Sequence, residues 1–193
     1  MTRDVTSIPL NHLLISSGTD IDFKMILEDY RACFSGHKVH LTTNYNQLSQ
    51  FDIVFSENQL PHLMGWEKVK GRGSKSASAI ITEVDSGTWT LSDAKKNQRW
   101  HEAKKRMLNY NIMHRIFLDQ DLVPMVLTSD MKPNRLKLDI VFVANKAHES
   151  VILGFRKSKD KDFFVPTTLH TESLNNSYNL RRRTKISSLE WVD

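Results

Sequence analysis

The chain has 193 residues, 39% of them hydrophobic, with a net charge of +5 and a single cysteine, Cys33. That length suits one domain with a real core. No apolar run reaches the ~18 residues of a membrane span, and one cysteine excludes an internal disulfide and a thiolate-rich metal site.

The first residues, "MTRDVTSIPLNHLLISSGTD", have a short apolar patch around Leu13–Ile15 but no basic start, long apolar centre or small-residue cleavage site. No signal peptide is expected, so cytoplasmic residence is the default, with no membrane partner. Residues 1–20 read as a flexible N-terminal segment ahead of a single α+β domain over 21–193. "TDIDFKMILEDYRACFSG" predicts a helix capped by Asp20 and ended by Gly36, because Phe23, Ile26, Leu27, Tyr30 and Phe34 recur at helical spacing. Cys33 falls on its apolar side. Val39–Leu41 and Phe51–Phe55 are short strand candidates. Pro61 begins a helical turn that Gly65 stops. "ASAIITEV" (77–84) reads as a strand closed by Ser86-Gly87.

Ser92 is then expected to cap a helical region reaching Leu118, bent near Asn109 and Asn111. Trp100, Ala103, Met107, Tyr110 and Phe117 form its apolar stripe, and Lys95, Lys96, Arg99, Lys105 and Arg106 decorate the rest. Further on the period becomes two. "RLKLDIVFV" (135–143) would place Leu136, Leu138, Ile140 and Phe142 on one face. "SVILGF" (150–155), "DFFVPTTL" (162–169) and "TKISSLEWV" (184–192) follow, with "NKAH" and "RKSKDK" as hairpin connections. Helices in the first two-thirds and an antiparallel meander in the last third make an α+β layout.

There is no P-loop, dinucleotide fingerprint, nucleophile elbow or zinc spacing, and no strand-borne acidic pair for a two-metal nuclease. The positive charge favours an anionic partner, nucleic acid being the commonest. It clusters at 68–75, 95–106, 156–161 and 181–183. Cleavage of RNA without a metal is compatible with these residue types. A general base takes the 2′-OH proton, cations stabilise the phosphorane, and an acid protonates the leaving 5′-oxygen.

Pro61-His62-Leu63-Met64-Gly65, Leu153-Gly154-Phe155 and Phe164-Val165-Pro166-Thr167-Thr168 occur in that order. The order resembles that of the phage-associated barnase–EndoU–colicin–RelE-like nucleases, from about Phe51 to Leu169. The resemblance implies N-terminal helices packed on an antiparallel sheet, a barnase/RelE-like arrangement. It also implies a metal-independent endoribonuclease without cofactor, acting as a toxin or in phage defence.

His62 is either a buried or capping histidine or a general base or acid. Gly154 and Arg156 share a strand face, where glycine would leave room for a substrate backbone and arginine would fork onto a phosphate. Thr168 offers a hydroxyl, and His170 follows at the same parity as a second acid/base group. The expected RNA contacts are Lys68, Arg72, Lys95, Lys96, Arg99, Lys157, Lys159, Thr167, Tyr178, Arg181 and Arg182. Each has a plainer reading as an ordinary strand residue or solvated charge. Trp66 and Trp89 are expected in the core. The expected partners are RNA, whether tRNA or mRNA, and an acidic antitoxin or immunity protein. Two other readings stand beside the enzyme: a non-catalytic nucleic-acid-binding module or adaptor, and a protein-interaction factor whose basic surface meets an acidic partner.

Overall fold

The structure is a computed structural model and describes residues 13–71, 76–121 and 123–192. Helix α1 (Phe23–Cys33) buries Phe23, Ile26, Leu27, Tyr30 and Cys33, as its spacing requires. Its cap is Asp22, not Asp20: Asp22 accepts the Met25 N–H at 2.9 Å, while Asp20 accepts those of Ser16 and Ser17. Strands β1 (Lys38–Thr43) and β2 (Gln50–Val54) form an antiparallel pair. The short helices α2 (Leu60–Met64) and α3 (Trp66–Lys70) meet at Gly65, whose φ of 73° is open to glycine.

Residues 77–84 are not a strand. They form helix α4 (Ala77–Asp85), capped by Ser76, and bury Ile80, Ile81 and Val84. The expected long helix is three helices, α5 (Leu91–Ala94), α6 (Trp100–Met107) and α7 (Ile112–Phe117). Thr90, not Ser92, starts it, in a capping box with Asp93. The bend lies at Asn109–Asn111, and Ala103, Met107, Tyr110 and Phe117 are all buried.

A strand that periodicity missed, β3 (Met125–Leu127), precedes β4 (Ile140–Asn145), β5 (Ser150–Lys157), β6 (Phe164–Glu172) and β7 (Ile186–Val192). The sheet order is β3-β4-β5-β6-β2-β1-β7. The meander β4-β5-β6 is antiparallel as expected, but the sheet is not purely antiparallel or C-terminal. β2 joins β6 in parallel at Ile53 and Phe164, and β1 and β2 supply two of its seven strands. The sheet curls until its edges meet. Thr184, just before β7, bridges to Met125 of β3, its N–H donating at 2.7 Å.

One face of the sheet carries the main core, including Trp66, Trp89, Phe142, Leu153, Phe155 and Trp191. The other face buries a smaller cluster of Val126, Leu138, Val141, Val143, Ile152 and Tyr178. The alternation expected over 135–143 fails here. Leu136 is exposed, and Leu138 lies in the smaller cluster while Ile140 and Phe142 lie in the main one.

Within the segment 1–20, residues 13–20 are described, and Leu13 and Ile15 pack on the core. The Leu13 N–H donates to Asp29 Oδ1 at 2.7 Å, and Asn111 bonds the main chain of both Leu13 and Ile15. The other Asp29 oxygen takes the Tyr110 hydroxyl at 2.7 Å and His114 Nε2 at 2.8 Å. Burial raises the Asp29 pKa, but the His114 hydrogen bond and charge, with Tyr110 and Leu13, pull it below the ordinary 3.8. This contribution is therefore present above the ordinary carboxylate range and is lost as pH falls through the lowered value. Tyr110→Phe leaves a buried carboxylate short of one donor. It is expected to cost about 1–3 kcal/mol in urea unfolding at neutral pH, with a smaller difference from wild type at pH 3.

Candidate active site

The Pro-His-Leu-Met-Gly stretch folds as one short helix because Pro61 sets its first turn and Gly65 ends it. Leu60, Pro61, Leu63 and Met64 are buried. Packing of α2 against α6 and β6 leaves its carbonyl end facing Arg106. Arg106 Nη1 donates to the His62 carbonyl at 2.8 Å and reaches the Leu63 carbonyl at 3.4 Å. A Cβ on Gly65 would lie 2.9 Å from Arg106 Cδ. Glycine is thus required twice, for its left-handed φ and for the arginine's close approach. The motif is a seat for Arg106, which is only 8% exposed. Burial lowers the Arg106 pKa, and the charges of Glu102 and Glu67 oppose this. The group stays cationic at neutral pH.

Arg106 forms one wall of a cleft of about 350 Å³ with Lys68, His101, Glu102 and Lys105. Strand β6 also lines the cleft, at His170 and Thr171. Three cations thus stand against one carboxylate, and that carboxylate is 3.4 Å from Lys68 Nζ. Strand parity lines up Thr168, His170 and Glu172 on one face of β6. Thr168 Oγ1 is 3.3 Å from His170 Nδ1, and Glu172 Oε1 is 3.3 Å from His170 Nε2. An ionised carboxylate only accepts, so Glu172 fixes the proton of neutral His170 on Nε2 and leaves Nδ1 as the acceptor.

Burial lowers the His170 pKa. Glu172 works against this, and the charges of Arg106 and Lys68 add to it. Burial thus favours the neutral imidazole, the form a general base requires. This lowering makes neutral His170 favourable to folding above the ordinary 6.5, a contribution lost as pH falls through the lowered value.

A second and larger groove, about 800 Å³, adjoins the cleft at Lys68 and is lined also by Glu67, Gly71, Lys96, Asn97, Gln98 and Arg99.

The structure brings His170 and Lys68 into the cleft and Thr168 behind it, while Lys96 and Arg99 line the groove. The His62 imidazole is about half exposed and bonds Glu67 at 2.9 Å through Nδ1. It does not line the cleft, which the residue serves through its carbonyl. Arg156 lies on β5 with its guanidinium on the Leu136 carbonyl at 2.5 and 3.0 Å. The room expected at Gly154 is filled, since a Cβ there would meet Leu138 Cδ1 at 2.6 Å.

Lys157 pairs with Asp162, and Thr167 bonds the Val165 carbonyl. Lys159 is exposed in the β5–β6 hairpin, and Lys95 is exposed outside the groove lining. Tyr178 is buried, its phenol pKa raised by burial and by Glu172. Arg181 holds Asp130 and the Leu127 carbonyl, and Arg182 lies over the Tyr45 ring. Arg72 lies outside the described residues.

Arg106, His101, Lys105 and Glu172 were not singled out as site residues from sequence. For Arg106 a signal existed: Ala103, Arg106, Met107 and Tyr110 stand at i, i+3, i+4 and i+7, so Arg106 lies on the buried stripe. Glu172 repeats the β6 parity of Thr168 and His170.

Among the described residues, one trio of side chains could reach a common metal ion. Asp29, Cys33 and His114 have ligand atoms within 4.8 Å of one another, away from the cleft. Its carboxylate already binds Tyr110, His114 and Leu13.

One family model matches the stretch of chain that holds this cleft. The model describes the phage-Barnase-EndoU-ColicinE5/D-RelE like nuclease4 family and matches residues 23–189, and the chain belongs to that family. The match spans α1 to β7 and so includes every residue of the cleft. Comparisons with curated proteins and with solved structures return no match. No helix among the described residues is long and apolar enough to cross a membrane.

Proposed function

We propose that the protein is a metal-independent endoribonuclease with its centre at His170. The observation that carries this reading is one cleft lined by a largely buried histidine, with a carboxylate beside its ring, and by Arg106, Lys68 and Lys105. Family membership supports nuclease chemistry. The proposal for RNA rests on the residue types. His170 takes the 2′-OH proton, the 2′-oxygen attacks phosphorus, and the P–O5′ bond breaks. His101, on the α6 wall, protonates the leaving 5′-oxygen. The products are a 2′,3′-cyclic phosphate and a 5′-hydroxyl. Arg106, Lys68 and Lys105 offset the charge of the phosphorane oxygens. A lining dominated by cations suits this role better than it suits a resident divalent ion, whose ligands are mainly carboxylates.

We read the arrangement as barnase/RelE-like in that a helical layer presents cations to a histidine on a sheet strand. The same reading includes a toxin or phage-defence role with an acidic neutralising partner. Its supports are the net charge of +5 and the phage-associated family.

The test incubates purified protein with total RNA and tRNA in excess EDTA and maps the new ends. Cyclic phosphate ends from wild type and from His62→Ala, absent with His170→Ala, are expected. RNA binding without any cleavage would replace the enzyme by a nucleic-acid-binding module. The pH profile is a separate check. The acid limb of kcat/KM should lie below the ordinary 6.5 of histidine. Glu172→Gln removes the influence that raises the pKa and should move the limb lower. Lys68→Gln removes one that lowers it and should move the limb higher.

A further inference from the structure

The larger groove is not needed for the chemistry at His170, yet it opens directly onto the cleft. Lys68 is a wall of both. Beyond it the groove is lined by Lys96, Asn97, Gln98 and Arg99, where the turn after α5 leads into α6. Lys96 is 73% exposed and pairs with Asp93, three residues before it, at 3.0 Å. Among the described residues no ion pair engages Arg99. The groove is a concave surface more than twice the volume of the cleft, on which, among the described residues, Arg99 is unpaired and Lys96 is held by one exposed ion pair. Among the described residues, neither lining includes Phe, Tyr or Trp. Asn97 is occupied, donating to the Val69 carbonyl at 2.6 Å and accepting the Arg99 N–H at 2.8 Å.

We infer that cleft and groove form one track for single-stranded RNA, in which Lys96 and Arg99 hold backbone phosphates beyond the cleavage point. This rests on the ribonuclease reading of the cleft and adds the form of its substrate. His170 is only about one-fifth exposed, so the scissile phosphate has to enter a recess. A flexible strand can dip into the cleft and continue along the groove. An A-form duplex carries its phosphates on a stiff outer surface and meets the rim alone. The track reads no base edge through Asn97, whose amide is occupied. It adds affinity through phosphates, with the salt dependence that implies.

The experiment compares a dinucleotide, UpA, with a single-stranded RNA of about 12 nucleotides, a length that fills an extended site. Wild type and Lys96→Gln/Arg99→Gln are each assayed for cleavage. Binding of the longer RNA is read by fluorescence anisotropy across a salt series. The double variant should raise KM for the longer RNA about tenfold and flatten the slope of log affinity against log salt by about 1.4. Its kcat should hold, with UpA as the reference that spans the cleft alone. Lys95→Gln, exposed outside the lining, should change neither value. Unchanged KM and salt slope in the double variant would overturn the track while the nuclease reading stood. Equal affinity for a duplex of the same length would overturn the single-strand assignment. The binding arm reads the track independently, so absent cleavage with groove-dependent binding would count against the chemistry alone.

Discussion

His170→Ala is expected to slow single-turnover RNA cleavage by about 10²–10⁴-fold, the usual worth of a general base. The thermal midpoint should stay near that of wild type. His170 lies at the cleft wall, and its two side-chain contacts are both 3.3 Å, long for hydrogen bonds. Little native enthalpy is lost with them. A purely structural histidine would behave in the opposite way, with a lower midpoint and unchanged turnover in the surviving folded fraction. His62→Ala is the internal comparison. Its imidazole bonds Glu67 at a half-exposed position, and the group it offers Arg106 is a backbone carbonyl that alanine retains. Most activity should therefore survive that change. If His62→Ala is as inactive as His170→Ala, with cyclic ends lost in both, the acid belongs to His62 rather than His101.

The second large effect is expected at Arg106. Arg106→Ala should lower kcat by about 10²–10³-fold, the scale of losing one preorganised donor to a developing anion. It should also lower stability, because the aliphatic stem packs in a site only 8% exposed. Arg106→Lys separates the two losses. It keeps a charge and most of the stem, but a lysine cannot bond two carbonyls while presenting a planar fork to phosphate. Stability should recover more than kcat does.

Gly65→Ala probes the same seat from the other side. It places a Cβ 2.9 Å from Arg106 Cδ at a φ of 73°, at a backbone cost of about 1–2 kcal/mol before any clash. Activity loss through kcat with KM little changed would show that the guanidinium acts in the transition state. A change confined to KM would make Arg106 a ground-state anchor.

Several elements could be read before any fold was known, because the cues are local. Helix α1 carries its own apolar spacing, and the turn at Pro61 to Gly65 carries its own start and stop. The β4–β6 hairpins sit where polar connections separate apolar runs. The parity that put Thr168 and His170 on one face was also legible, since strand geometry alone sets it. The resemblance rested on the three apolar blocks, and the family match over residues 23–189 agrees with it.

Other features depended on partners far along the chain. Over 77–84, Ile80 and Val84 suit an alternating strand, while Ile80, Ile81 and Val84 suit a helix face. The Ser76 cap and burial of that face settled it. Parallel pairing of β2 with β6 brings residues 53 and 164 together, and no local pattern encodes it. Arg106 looked solvated because an arginine on a basic helix usually is. The α2 carbonyls, more than forty residues earlier, and the charges of Glu102 and Glu67 offset its burial.

By itself the sequence determined the helix and strand propensities, the charge, the absence of thiolate chemistry and the motifs that mark the family. Tertiary structure decided which of the many cations share a cleft. Arg156, Lys157 and Arg181 lie on local carbonyls and carboxylates outside the cleft, whereas Lys68, Lys105 and Arg106 line the same cleft as His170. The physical reason is that spacing along a chain specifies which face a side chain takes on its own element. Convergence of charges depends on how separate elements pack, and that is set by burial of apolar surface across the whole domain.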